Sequence, residues 1–175
     1  IYSASIPAQT AGSLVRYKVA ASNASTSASF PGADDTMTYK GYIVNDGQTA
    51  TIPIVRWYMD DDDYTDMTTN HLTDDQQFQA VVAVGNDLFD SAKVRVKGQS
   101  SVNFPKRKYK FDLPSGYTVR PEGFDYGVDE FSINVYFSNQ TDLQEGMGWK
   151  AINYFGFHKL QNRYVRVLRN TTSGN

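Results

Sequence analysis

The sequence predicts an α+β, β-rich fold: strands of a partial β-sandwich, then an antiparallel sheet carrying one main helix. Two observations predict it. Apolar residues recur at every second position in most segments, the period of a half-buried strand. One segment near the C-terminus, after Thr141, instead places apolar residues at helical spacing. Hydrophobic residues fill 40% and charged residues 21% of the 175 positions, a globular balance with room for one good core or two small ones.

Tyr2 to Ile6 reads as a short alternating strand, and Leu14 to Ala20 as a clearer one. Asn23 to Asp35, rich in Ser, Ala, Gly and Asp, reads as a loop. Met37 to Val44 is a third strand, with Tyr39 and Tyr42, and Asn45-Asp46-Gly47 is a turn or linker. These strands fall short of the roughly seven that an independent sandwich needs. Val15, Tyr17, Val19, Tyr39 and Tyr42 are therefore expected on an open face beside an unpaired edge. Self-association, or a neighbouring domain, would cover residues 1–45. The expected division is a first unit over residues 1–46 and a second over residues 51–175.

Thr51 to Met59, with Ile52, Ile54, Val55, Trp57 and Tyr58, predicts a buried strand. Asp60 to Asp63 then opens a short helix that includes Tyr64 and Met67, where acidic residues suit the positive helix terminus. A calcium loop needs staggered oxygens, commonly with a glycine and a late Glu, and this run has neither; a weak cation site is the other reading. Gln77 to Val84 is a strand, and Gly85-Asn86-Asp87 a hairpin turn into Leu88 and Phe89. Lys93 to Lys97 and Lys106 to Leu113 are two further strands, expected to pair as an antiparallel hairpin. Gly116 to Tyr126 reads as loop, and Asp129 to Phe137 as an alternating strand. Thr141 is a good N-cap, with Asp142 in the first turn and Gln144 at the capping-box position. Leu143, Met147, Ala151 and Tyr154 mark the helix's apolar face, and Gly156 ends it. Tyr164 to Leu168 is the last strand.

The net charge of -2 argues against bulk nucleic-acid binding. No apolar run approaches the roughly 20 residues that cross a bilayer, so no membrane insertion is expected. The chain has no cysteine, which removes disulfides and thiolate metal sites. Its two histidines, His71 and His158, lie far apart without His-x-x-x-His spacing or flanking carboxylates, and no metal site is assigned. Sequons occur at Asn23, Asn139 and Asn170, a pattern that a Ser-, Thr- and Asn-rich composition also produces by chance. That composition, with abundant Tyr and few Lys, suits an extracellular or cell-surface protein, and the lack of a starting Met suits a processed or trimmed N-terminus. The 12 Tyr and 10 Phe mostly alternate along strands, which reads more simply as core and cross-strand pairs than as a carbohydrate platform.

The stretch from Val94 to Pro114 carries the most chemistry. Two strands of alternating basic and apolar residues flank a loop that opens with Gly98 and holds Ser100 and Ser101. Glycine lets a backbone approach, amides and hydroxyls donate, and Lys and Arg supply charge, which together suit a phosphate. The competing reading is an ordinary hairpin with a solvated basic face. Asp112, Asp129, Glu130 and Asp142 are candidate partners for the cations.

The same stretch resembles the signature segment of the CotH-type proteins. Ile6 to Tyr17 is similar to a run often found just before CotH modules, as the tail of a fibronectin- or immunoglobulin-like domain. Ser138 to Glu145 and Asn162 to Val167 are similar to further CotH segments, so the resemblance spans about residues 51–170. It implies a secreted or spore-coat protein with an atypical protein-kinase fold, in which residues 51–175 form a kinase-N-lobe-like sheet. Carried over by position, it nominates Gly98, Ser100, Ser101 and Lys106 for nucleotide binding, with Lys108 as a competing choice. Lys97 stands where the family more often has Arg, and Gln144 where a helix Arg is frequent. ATP with Mg is the implied cofactor of a full-length form. The acids that would orient an acceptor and hold the metal are expected beyond residue 175, so no catalytic residue is assigned. Two functions are therefore expected: a structural, surface or scaffold role for this chain, or the nucleotide-binding lobe of an atypical secreted protein kinase.

Overall fold

Period-two alternation becomes sheet in the middle of the chain. The computed structural model describes residues 3–135, 143–156, 161–170 and 172–173. Four short strands come first: β1 (Leu14–Tyr17), β2 (Val19–Ser22), β3 (Ser27–Phe30) and β4 (Lys40–Ile43). Strand β5 (Ile54–Tyr58), helix α1 (Asp61–Thr69), β6 (Phe78–Val84) and β7 (Asp87–Lys97) follow. A 3-10 turn at Ser100–Asn103 leads to β8 (Lys108–Asp112) and β9 (Glu130–Ile133). Helix α2 (Gln144–Tyr154), β10 (Arg166–Arg169) and β11 (Thr172–Ser173) complete the described elements. The fold is α+β and β-rich.

Seven strands form one sheet in the order β11-β10-β5-β6-β7-β8-β9. Every neighbouring pair is antiparallel except β10 with β5, which run parallel. Parallel neighbours need a long connection, and the chain between β5 and β10 includes both helices and strands β6 to β9. The predicted basic hairpin forms, with Arg95 opposite Lys110, Val96 opposite Tyr109 and Lys97 opposite Lys108.

One face of the sheet holds the main core. Trp57 is its centre, with ring centroids 5.9 Å from Tyr64, 5.1 Å from Tyr109 and 5.4 Å from Phe111. Helix α1 covers this face by burying Met67 and placing Tyr64 on Trp57, with the Tyr64 and Tyr109 hydroxyls 3.0 Å apart. Burial pushes the Tyr109 hydroxyl pKa up, and the Tyr64 hydroxyl adds to it. Met37, ahead of β4, is buried in the same core.

The opposite face receives the β1–β4 ribbon. Tyr58 donates to the Gly12 carbonyl at 2.9 Å, and Arg56 meets Asp46 at 2.9 Å. Gly41 lies against Leu88, and a Cβ there would overlap the Val15 carbonyl oxygen across the ribbon. Small size at that position lets the ribbon close.

Several sequence expectations differ from this arrangement. Ser3 to Ile6 is not a strand, since no described segment pairs with it and Pro7 follows directly. Leu14 to Ala20 is not one strand but two. The ladder breaks at Lys18, where β1 pairs with β4 and β2 turns to pair with β3. The stretch from Asn23 to Asp35 is not all loop, because it contains β3. The Asn23 carboxamide builds the turn, accepting from the Ser25 and Thr26 amides at 2.9 Å each. Ala and Ser carry little strand signal, so pairing decides there. Thr141 and Asp142 lie outside the described residues; α2 is described from Gln144, with Leu143 at the cap position. The expected apolar face of α2 does not pack: Leu143, Met147, Ala151 and Tyr154 are all exposed, Tyr154 by 86%.

Candidate functional site

The candidate site is the basic hairpin. Alternation along β7 and β8 sends Val94, Val96, Tyr109 and Phe111 into the core, so Arg95, Lys97, Lys108 and Lys110 lie on the other face. Lys93 shares that face and is exposed.

Local geometry fixes the loop between the strands. Gly98 has φ +128, and a Cβ there would overlap Ser101 Oγ. Only glycine takes that backbone without strain. The 3-10 turn then drives Val102 into the core, and the Arg107 guanidinium donates to the Val102 carbonyl. Ser100 is exposed and Ser101 half-buried, while Lys106 is exposed and Lys108 half-buried at the start of β8. The five nominated residues therefore fall on one turn and the strand leaving it.

Most of the cations already have partners. Arg95 pairs with Asp75. Lys110 Nζ lies 2.5 Å from Glu130 and 3.6 Å from Asp112. Lys97 Nζ donates to Ser132 Oγ at 2.9 Å. The hydrogen bond to Glu130 raises the Lys110 pKa and lowers that of Glu130. Two expected acidic partners, Glu130 and Asp112, are thus found; Asp142 lies outside the described residues. Lys106 and Lys108 make no ion pair or side-chain hydrogen bond among the described residues. Lys108 faces Lys97 across the ladder.

Elsewhere the acidic run acts as a cap. The Asp60 side chain accepts from the Asp62 amide at 2.9 Å, and Asp61 meets Arg169 at 2.6 Å. Arg169 holds the Asp61 carboxyl below its ordinary range. The expectation that no carboxylate flanks a histidine fails at His71, whose ring lies 2.6 Å from Asp74 and 3.6 Å from Asp66. His158 lies outside the described residues. Among the described residues, no group of three or more His, Cys, Asp or Glu has an arrangement that could hold a metal ion.

Sequence reasoning missed Asp90. It is 1% exposed, and its carboxylate accepts from Arg16 at 3.1 Å, the Tyr39 amide at 3.2 Å and Ser91 Oγ at 2.9 Å. The available signal was weak: Asp90 directly follows the apolar pair Leu88-Phe89, but β7 also carries Asp87, Lys93, Arg95 and Lys97.

No protein-family model and no curated protein matches the chain.

Proposed function

We propose that the chain is a surface or scaffold module of a secreted, CotH-like protein, and that it associates with a second copy through the outward face of the β1–β4 ribbon. The observation that carries the reading is the exposed tyrosine pair on that face. Val15, Tyr17 and Tyr42 lie opposite the side on which Arg16 meets Asp90 and Gly41 meets Leu88. Tyr17 is 37% and Tyr42 43% exposed. Tyrosine combines apolar area with a polar tip, the chemistry of protein interfaces. A net charge of -2 leaves little repulsion between copies. The Ser-, Thr- and Asn-rich composition supports the extracellular part, and the Val94 to Pro114 resemblance supports the family part. Hydrogen exchange tests the association. Raising the concentration is expected to slow exchange of the β1 and β4 amides and leave β8 unchanged; identical exchange at all concentrations would count against it.

One observation favours a second reading, a nucleotide-binding lobe. Lys97 opposes Lys108 across β7 and β8, and like charges placed directly opposite cost stability unless an anion lies between them. Lys106, Ser100 and Ser101 are close by in the chain. ATP with Mg is the probe. Calorimetric binding that weakens in Lys106→Ala and Lys108→Ala would support this reading, and no heat from the folded chain would end it.

A further inference from the structure

A shallow groove of about 570 Å³ lies where the N-terminal segment meets the sheet, lined by Phe30, Asp34, Asp35, Thr36, Ser115 and Tyr117. Its floor is fixed by a polar network. Asp35 accepts from the Met37 amide at 2.9 Å and from the Tyr117 hydroxyl at 2.9 Å, and Met37 is anchored in the core. Thr36 Oγ1 donates to the Ser115 carbonyl at 2.7 Å and stitches the two walls together. Lys40 Nζ lies 3.6 Å from Asp35 and near two rings, 5.5 Å from the Phe30 centroid and 5.3 Å from that of Tyr117. At the rim Phe30 is 58% exposed. Asp34 is exposed and has no ion pair or side-chain hydrogen bond among the described residues.

We propose that this groove binds a segment of a neutral carbohydrate chain. A sugar ring presents an apolar C–H face, which suits an exposed aromatic ring, and hydroxyls that both donate and accept. The groove supplies an acceptor in the Asp34 carboxylate; beside it Asp35 and Lys40, paired with each other and with Tyr117, keep part of their surface exposed. Asp35 is offset by Lys40, and the Asp34 carboxylate, which has no ion pair among the described residues, disfavours an anionic polymer. A peptide would need apolar pockets for its side chains, and the exposed apolar wall here is one ring. Openness suits an extended polymer, since sites for free small molecules enclose most of their ligand. Phe30 and Asp34, the residues changed in the test, belong to neither the tyrosine pair nor the basic hairpin, although Lys40 lies opposite Tyr17 across β1 and β4.

The test is a titration followed by amide resonances, using cellohexaose and chitohexaose as probes. One of them is expected to shift the Thr36 and Gly116 amides saturably. Phe30→Ala should weaken binding about tenfold, the stacking contribution of one ring, while Phe30→Tyr should retain it. Asp34→Asn should weaken it about threefold through loss of a charge-assisted hydrogen bond. Both positions are exposed, and unchanged thermal melts would show that the variants fold. If neither sugar shifts those amides at about 1 mM, or if Phe30→Ala binds like the parent, the proposal is overturned.

Discussion

Asp90 shows how much one buried charge decides here. Three donors converge on it, and two of them, Arg16 and the Tyr39 amide, belong to the N-terminal segment. Its removal would leave the Tyr39 amide without this acceptor and release Arg16. We expect Asp90→Ala to lower stability by about 2–4 kcal/mol, the range for breaking a buried charged hydrogen-bond cluster. Urea denaturation measures it, and a loss below about 0.5 kcal/mol, typical of surface changes, would show that the contacts carry little. At this scale the sequence was legible where side-chain periodicity applied. Trp57, Val94 and Phe111 fall in the core as alternation requires. Asp90 was not legible, because its partners lie 74 and 51 residues away. His71 was missed for a different reason: its carboxylates sit five residues before and three after it, and only the chain reversal after α1 brings both to the ring.

Elements follow local chemistry where it is strong. Asp60 caps α1, and three acidic residues fill its first turn, as the helix terminus favours. Asp60→Ala is expected to cost about 1 kcal/mol, measured as a shift in the urea midpoint with an unchanged slope. No loss would mean that Asp61, held by Arg169, suffices to start the helix. Strands β5, β7 and β8 were legible because apolar residues alternate with charges through them, and β6 as a short apolar run, Ala80 to Val84, ending at a Gly-Asn-Asp turn. The β2–β3 hairpin was not, since Ala and Ser fit loop and strand alike and its turn depends on one Asn23 side chain. Helix α2 was legible as a helix, but its packing was not. Spacing reports which residues share a face, not whether that face has a neighbour.

The whole molecule joins its N-terminal strands to the sheet mainly through carboxylates. Asp35 is held below its ordinary pKa by the Met37 amide, with Tyr117 and Lys40 adding to the effect against burial. For Asp46 burial acts upward, but the Gln48 amide and Arg56 outweigh it and lower the pKa. Groups lowered on folding contribute stability above their unfolded pKa, here 3.8, and lose it as pH falls through the lower folded value. Stability should therefore be flat from about pH 5 to 7 and fall below about pH 4. Urea midpoints against pH would show this, and a midpoint unchanged down to about pH 2 would contradict it. Around the candidate site the antiparallel pairing of the two basic strands was legible, and their register was not. How the surrounding cations are partnered was not legible either, because Asp75 and Ser132 come from distant segments.

Assembly through the tyrosine face is the central functional claim, and sedimentation equilibrium tests it most directly. The parent chain and the double variant Tyr17→Lys/Tyr42→Lys would be compared from about 1 to 300 μM, a range that spans ordinary self-association constants. Both side chains are exposed, so the variant should keep its fold. The account predicts that the parent's average mass rises above 19.6 kDa with concentration while the variant stays at that mass. A parent that remains at 19.6 kDa throughout, or a variant that associates equally well, would contradict it.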